Sequence, residues 1–250
     1  GLHTLYMQFD GLDDGIIEQL RGRRLLEQKL RAVENCRKVG LKICLVPTIL
    51  KGVSQSQVGP IFRFACENAD VISGIAYQPV SFSGRISHEE LLAKRYTLGD
   101  LAHDIAAVSG ADVMRDFFPL NHIVPLSRML QILDGKPKIR ASCHSDCSLG
   151  TYFFVTPEHE AIPIPKLFNT MRLFRGFNEL AARVERERPD RMANWRDKLE
   201  LIWIFLRSYR WSERDYRVMP FTFIKALRGM TNKAHGRGAP DVYVHGMLGR

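Results

Sequence analysis

Over the first hundred residues, short apolar runs alternate with stretches in which apolar side chains recur every three or four positions. Leu5-Tyr6-Met7-Gln8-Phe9 reads as a strand. It leads through an acidic turn to a helix with Leu25, Leu26, Leu30, Val33 and Cys36 on one face, stopped by Gly40. A second strand, Lys42 to Pro47, precedes the Lys51-Gly52 loop and a helix from Gln57 to Asn68 that carries Ile61, Phe64 and Ala65. A third strand, Val71 to Tyr77, ends at Gln78-Pro79. Strands alternating with helices of this length predict parallel pairing through right-handed crossovers, an α/β fold. Three such units make half of a (β/α) barrel.

Thr97 with Asp100 forms a capping signal, and Leu98, Leu101, Ile105 and Val108 follow at helical spacing. Prolines 119, 125 and 137 break the next stretch. Beyond Pro165 the pattern predicts amphipathic helices near 165–188, 193–209 and 219–228. The expected organisation is 1–110 as half a barrel, 111–160 as a middle segment and 161–250 as a basic helical region. The chain opens with Gly just ahead of a strand and closes on Tyr243-Val244-His245-Gly246, another strand pattern. A piece of a longer protein is expected.

Charge sharpens this division. The net charge is +9, and residues 161–250 carry 18 Lys and Arg against 9 Asp and Glu, so the excess lies wholly in the last third. The longest strongly apolar run, Leu201 to Leu206, is far short of the ~20 residues of a membrane span. Five cysteines, an odd number in a long chain, argue against a disulfide scaffold. A cytoplasmic protein is expected. Cys36, Cys44 and Cys66 fall on apolar faces and read as core.

In a parallel βα array, ligands bind where strands end. Those ends read Gln8-Phe9-Asp10-Gly11, Pro47-Thr48 and Gln78-Pro79-Val80-Ser81. They suit a small-molecule pocket or ordinary βα turns. Asp13 and Asp14 suit a helix start. Cys143 and Cys147, with His144 between them, suit a soft-metal site or two packed thiols. The 193–209 helix interleaves Trp195, Leu199, Trp203 and Phe205, with Trp211 just beyond, among Arg196, Arg207 and Arg210. That surface suits core packing or a lipid-facing groove with anionic head groups at its rim. No RRM, KH or helix-turn-helix signature supports nucleic acid, and no GxSxG or Walker motif or catalytic triad is present, so no catalytic residue stands out.

The ordered set FDGLDD, LRGR, KGV and QPVSF resembles the second half of a radical S-adenosylmethionine (SAM) barrel. The resemblance is strong over residues 3–86 and recognisable over 140–155. It is closest to a subgroup that includes tetraether lipid synthase, with members called pterin methyltransferases. It implies SAM and 4Fe–4S cofactors and a ferredoxin- or flavodoxin-type reductant. It implies that Gln8, Asp10 and Thr48 line the SAM site, that Arg21 meets the SAM carboxylate, and that Ile75, Tyr77 and Gln78 pass along adenine and ribose. Cys143 and Cys147 would contribute to an auxiliary cluster. Two departures stand out: Ser54 replaces a usual Asn, and the Cys-x-x-x-Cys-x-x-Cys motif is absent from this chain. The expected parent activity is coupling of lipid hydrocarbon chains, with peripheral membrane association; the alternatives are radical methylation of a pterin-like heterocycle, or a non-enzymatic basic module binding membrane or nucleic acid.

Overall fold

A computed structural model describes residues 2, 4–82, 84–135, 144–188, 192–210 and 241–247, with residues 134 and 241–247 as backbone only. In chain order the elements begin with β1 (Thr4–Gln8), α1 (Asp14–Arg21), α2 (Leu26–Val39), β2 (Lys42–Val46) and β3 (Thr48–Ile49). Next come α3 (Val58–Glu67), β4 (Ile72–Pro79), α4 (His88–Lys94), α5 (Leu98–Ser109), α6 (Val113–Asp116) and β5 (Phe118–Pro119). The chain continues with α7 (Ile123–Asp134), β6 (Ser148–Val155), β7 (Ala161–Pro163), α8 (Ile164–Leu167), α9 (Thr170–Glu187), α10 (Trp195–Ser208) and β8 (Asp241–Met247). The helix expected near 219–228, Trp211 and Cys143 lie outside the described residues.

The chain divides into two compact units. The first comprises residues 1–117, 146–163 and 239–250; the second comprises 118–145 and 164–238.

In the first unit, β1, β2 and β4 lie side by side and parallel, in chain order, as the alternation predicts. β3 extends the second strand and pairs in parallel with β4, Thr48 opposite Gln78. β8 joins the other side of β4 in parallel, then β6 and β7 follow antiparallel. The described strands form a mixed sheet whose β1-to-β8 part is parallel. Ile43, Leu45, Ile72 and Ile75 are wholly buried and meet Ile61, Phe62 and Ala65 of α3. Cys36, Cys44 and Cys66 belong to this interior; burial pushes the Cys44 thiol up to about 11 and Cys66 up to about 12, so neither is a ready thiolate.

The single helix expected after β1 is two. Gly22, at φ 74°, ends α1 in a left-handed turn. Asp13 caps α1 by accepting from the Gly15 and Ile16 amides, whereas Asp14 accepts from the Leu25 and Leu26 amides at the head of α2. Leu30, expected on the buried face, is exposed; Val33 and Cys36 carry that face. Thr97 and Asp100 form the expected capping box on α5.

In the second unit, α9 and α10 run antiparallel, and α9 also meets α7 through Arg128, which pairs with Glu185 at 2.6 Å. Leu180, Ala181 and Val184 pack with Ile132 and Ala193. A ring cluster of Phe168, Phe177, Phe205 and Tyr209 closes the other end. There the Asn169 amide donates to the Ser208 carbonyl at 2.7 Å. Asp197 is 1% exposed and accepts from Arg183 at 3.1 Å, from Arg188 at 2.6 Å and from the Asn194 amide at 2.7 Å.

Burial alone would raise the Asp197 pKa, but the Asn194 amide and the Arg188 and Arg183 guanidiniums outweigh it and hold the carboxyl below its ordinary value. A lowered folded pKa stabilises fully above the unfolded value of about 3.9 and is lost as pH falls through the folded value. Asp197→Asn should therefore cost about 2–3 kcal/mol at neutral pH, with the gap closing on acidification. Thermal unfolding of the chain from pH 7 downward measures it. A gap that stays constant with pH would mean that Asp197 acts by shape rather than charge.

Candidate functional site

The site grows from the C-terminal end of β1. Beyond Gln8, the Phe9 amide donates to the Val46 carbonyl at 3.2 Å, and the Phe9 ring is buried and stacked on Phe64 with centroids 5.1 Å apart. That anchor fixes the backbone from which Asp10 projects. At Gly11, an added Cβ would sit 2.8 Å from Cγ and Oε1 of Gln57. The close approach lets Gln57 Oε1 accept from the Leu12 amide at 2.9 Å, so only glycine fits without displacing Gln57.

Asp10, 3% exposed, then meets Arg21 from the last turn of α1, which is 28% exposed. Nε donates to Oδ2 and Nη2 to Oδ1, each at 2.9 Å, a bidentate fork. Nη2 also donates to Thr48 Oγ1 at 2.7 Å, and the Thr48 amide donates to Asp10 Oδ1 at 2.9 Å. With its oxygen toward Arg21, the Gln8 amide accepts from Nη1 at 3.1 Å and from Nη2. The hydrogen bonds to Asp10, and then its charge, raise the Arg21 pKa against the opposing effect of burial. One ion pair thus ties together the end of β1, the end of α1 and the start of β3.

Of the seven cofactor residues expected, the structure brings Gln8, Asp10, Arg21 and Thr48 into direct contact, and Gln78 stands exposed beside Thr48 in register. For Ile75 and Tyr77, expected to pass along adenine and ribose, the side chains point into the core, which leaves their backbone to meet a ligand. Both are wholly buried, and the Tyr77 hydroxyl donates to the Val58 carbonyl at 2.8 Å. Alternation along β4 turns those side chains inward, and desolvation raises the Tyr77 pKa well above its ordinary value. Ser54 is committed within its own loop: its hydroxyl donates to the Thr48 carbonyl and accepts from the Leu50 amide.

Cys147 is a half-buried free thiol before β6, and its expected companion Cys143 lies outside the described residues. Among the described residues no group of three or more His, Cys, Asp or Glu side chains could hold a metal.

Two contributors escape sequence reading. Gln57 reads as a helix start, and Asp14 as part of the helix start that directly follows it rather than of α2. Both act through pairing over 45 and 12 residues, which no local pattern records. The assembled rim offers amide, hydroxyl and guanidinium N–H groups, while the Asp10 carboxylate is spent on the chain's own donors. Chemically, such a set of donors is suited to orienting a polar ligand.

Asp10→Ala would leave Arg21 without its fork and the Thr48 amide without an acceptor, and should cost about 2–4 kcal/mol in urea unfolding. Arg21→Lys should recover only part of the loss suffered by Arg21→Ala, because an ammonium cannot bridge both carboxylate oxygens. Equal midpoints for wild type and Asp10→Ala would show the pair to be incidental.

No protein-family model matches the chain. It is similar to a curated protein of Methanocaldococcus jannaschii, 7,8-dihydro-6-hydroxymethylpterin dimethyltransferase, with 37% identity over 182 residues. The match covers 72% of this chain and 35% of that protein, so the chain spans about a third of the length of the relative it matches. The similarity supports the radical SAM resemblance, whose subgroup has members called pterin methyltransferases, and supports an enzyme as the parent protein; it lends nothing to tetraether lipid synthesis.

Proposed function

We propose that this chain is part of a radical SAM methyltransferase that acts on a reduced pterin. The 37% identity to a pterin dimethyltransferase over most of the chain carries the reading. The rim geometry supports it: adjacent parallel strands end in Gln8, Thr48 and Gln78, where a (β/α) array takes its ligands. SAM fits the donors present. Arg21 keeps an Nη1–H beyond its bonds to Asp10, Thr48 and Gln8, and that N–H suits the SAM carboxylate. Gln8, its oxygen held by Arg21, has an amide NH2 to donate beside it. Thr48 and Gln78 continue the polar edge. In such an enzyme a reduced 4Fe–4S cluster would supply the electron that cleaves the SAM C–S bond, while this chain's Gln8, Arg21, Thr48 and Gln78 would bind and orient SAM. The cysteines for that cluster would come from sequence outside this chain, and Cys143 with Cys147 would serve an auxiliary one. A ferredoxin- or flavodoxin-type protein would deliver the electron.

Lipid-chain coupling, the first expectation from the sequence, keeps one observation in its favour. Trp195, Leu199, Ile202 and Trp203 on α10 are exposed, though Phe205 is buried. Among the described residues no helix is long and apolar enough to cross a membrane. The relative's chemistry favours the heterocycle. A non-enzymatic basic module gains nothing from the similarity to an enzyme.

Two measurements test the proposal. The full-length parent, reconstituted anaerobically with iron and sulfide, should form 5′-deoxyadenosine and transfer a labelled methyl group from SAM to a hydroxymethylpterin. Coupled lipid formed while the pterin stays unlabelled would overturn the reading. Gln8→Ala should weaken SAM binding by about 1–2 kcal/mol, five- to thirtyfold, without lowering Tm, because Gln8 is exposed. Unchanged SAM affinity in that variant would remove the rim from the cofactor site.

A further inference from the structure

The second unit carries an open groove of about 510 Å³ between the N-terminal half of α9 and the C-terminal half of α10. The sequence folds it from a single close approach. Gly176 of α9 has no Cβ, and one added there would sit 2.7 Å from Cγ2 of Ile204 on α10. The helices meet at that point, and the longer side chains on either side form the walls.

Arg172, Arg175, Arg207 and Trp203 are among the lining residues, and all four are exposed. Elsewhere in this unit, Arg128, Arg183 and Arg188 are each held by carboxylates. The groove's arginines are not. Arg172 donates one Nη1–H to the Arg207 carbonyl at 3.1 Å, while the guanidiniums of Arg175 and Arg207 have no partner among the described residues. Two carboxylates also line the groove, but Glu200 is taken by Arg183 at 2.5 Å, which leaves Glu179 against three guanidiniums. The groove therefore favours an anion. Like charges gathered beside one cavity repel unless a counter-charge joins them.

We propose that this groove binds a phosphate ester, with Arg172, Arg175 and Arg207 on the phosphate and Trp203 against the group esterified to it. A single carboxylate would satisfy one guanidinium fork; a phosphate or diphosphate presents enough oxygens for three. Trp203, 61% exposed, with Ile204 and Met171, gives the apolar wall on which a planar ring or an acyl chain can lie. The volume is that of a site for one small molecule. The site goes beyond the pterin reading, and only the identity of the ester rests on it. A soluble phosphorylated heterocycle and a phospholipid headgroup share this chemistry.

Titration of the 250-residue chain with inorganic diphosphate, followed by calorimetry and tryptophan fluorescence, tests the phosphate half. Binding should be saturable with a Kd of about 1 mM or tighter, weakening as salt rises. The Arg175→Ala/Arg207→Ala double variant should bind at least tenfold more weakly with unchanged Tm, since both side chains are exposed and unpaired. Absence of saturation, or equal affinity in the double variant, would overturn the proposal. Two further arms assign the source. A soluble ester places hydroxymethylpterin diphosphate well above inorganic diphosphate in affinity, a gain lost in Trp203→Ala. A lipid headgroup gives arginine-dependent sedimentation with phosphatidylglycerol vesicles and none with phosphatidylcholine. SAM binding, measured in parallel, should be unaffected in the double variant, so failure here is distinguishable from failure of the methyltransferase reading.

Discussion

The ion pair between Asp10 and Arg21 is the constraint on which the first unit's rim depends. Neither partner is free to leave it. Asp10 is buried, and removing Arg21 would leave its two oxygens only the Thr48 amide among the described residues. Because the pair spans the ends of β1 and α1 and the start of β3, it fixes their separation in one step. Gln8 and Thr48 are placed by the same guanidinium, so the polar edge is held by packing and pairing within the chain. Phe9 stacked on Phe64 and Gly11 pressed against Gln57 keep the intervening backbone in place.

Much of this architecture is legible in the sequence because it is local. Apolar runs five to eight residues long, separated by helical spacing, give β1, α2, β2, α3 and β4 and their parallel order. Capping is local too, as Thr97 with Asp100 shows. The break between α1 and α2 is less visible, because the stretch carries charge through Arg21-Gly22-Arg23-Arg24 with no proline. Its signal is the one glycine, and its cause is the reach of Asp14 to the Leu25 and Leu26 amides. Ile75 and Tyr77 mark the opposite limit. The family resemblance implied that they pass along a ligand, and burial of their side chains in a strand covered on both faces leaves that role to their backbone. Gln78, at the end of that strand, escapes the core and is exposed.

The second unit uses its excess of arginine in two ways, and composition alone does not separate them. At one end of the α9–α10 pair, Asp197 gathers Arg183 and Arg188 into a buried charge network that also caps α10. At the other end, Arg175 and Arg207 line an open groove beside Trp203. Sequence composition reads both ends alike as part of one basic helical region. The difference is one of partners: a buried aspartate fixes the first pair, and the second makes no ion pair among the described residues. An arginine that stabilises the fold and one left for a ligand are thus told apart by what stands opposite.

The same reasoning bears on how the rim would treat SAM under the proposed reading. SAM is a cation at sulfur as well as a carboxylate and an ammonium, so an unpaired arginine at the rim would attract one end and repel two others. Arg21 is not unpaired. Its bidentate contact with Asp10 cancels most of its net charge while leaving an Nη1–H directed by a rigid, planar group. Such a donor discriminates by direction more than by field. Two N–H groups side by side, from Arg21 and from the Gln8 amide it holds, match the two oxygens of a carboxylate without raising the positive potential near a sulfonium. Replacing Asp10 by a neutral residue would keep Arg21 as a cation but unlock both its direction and its charge. The anionic partner buried behind the arginine is therefore as much a part of the site as the groups that face the ligand.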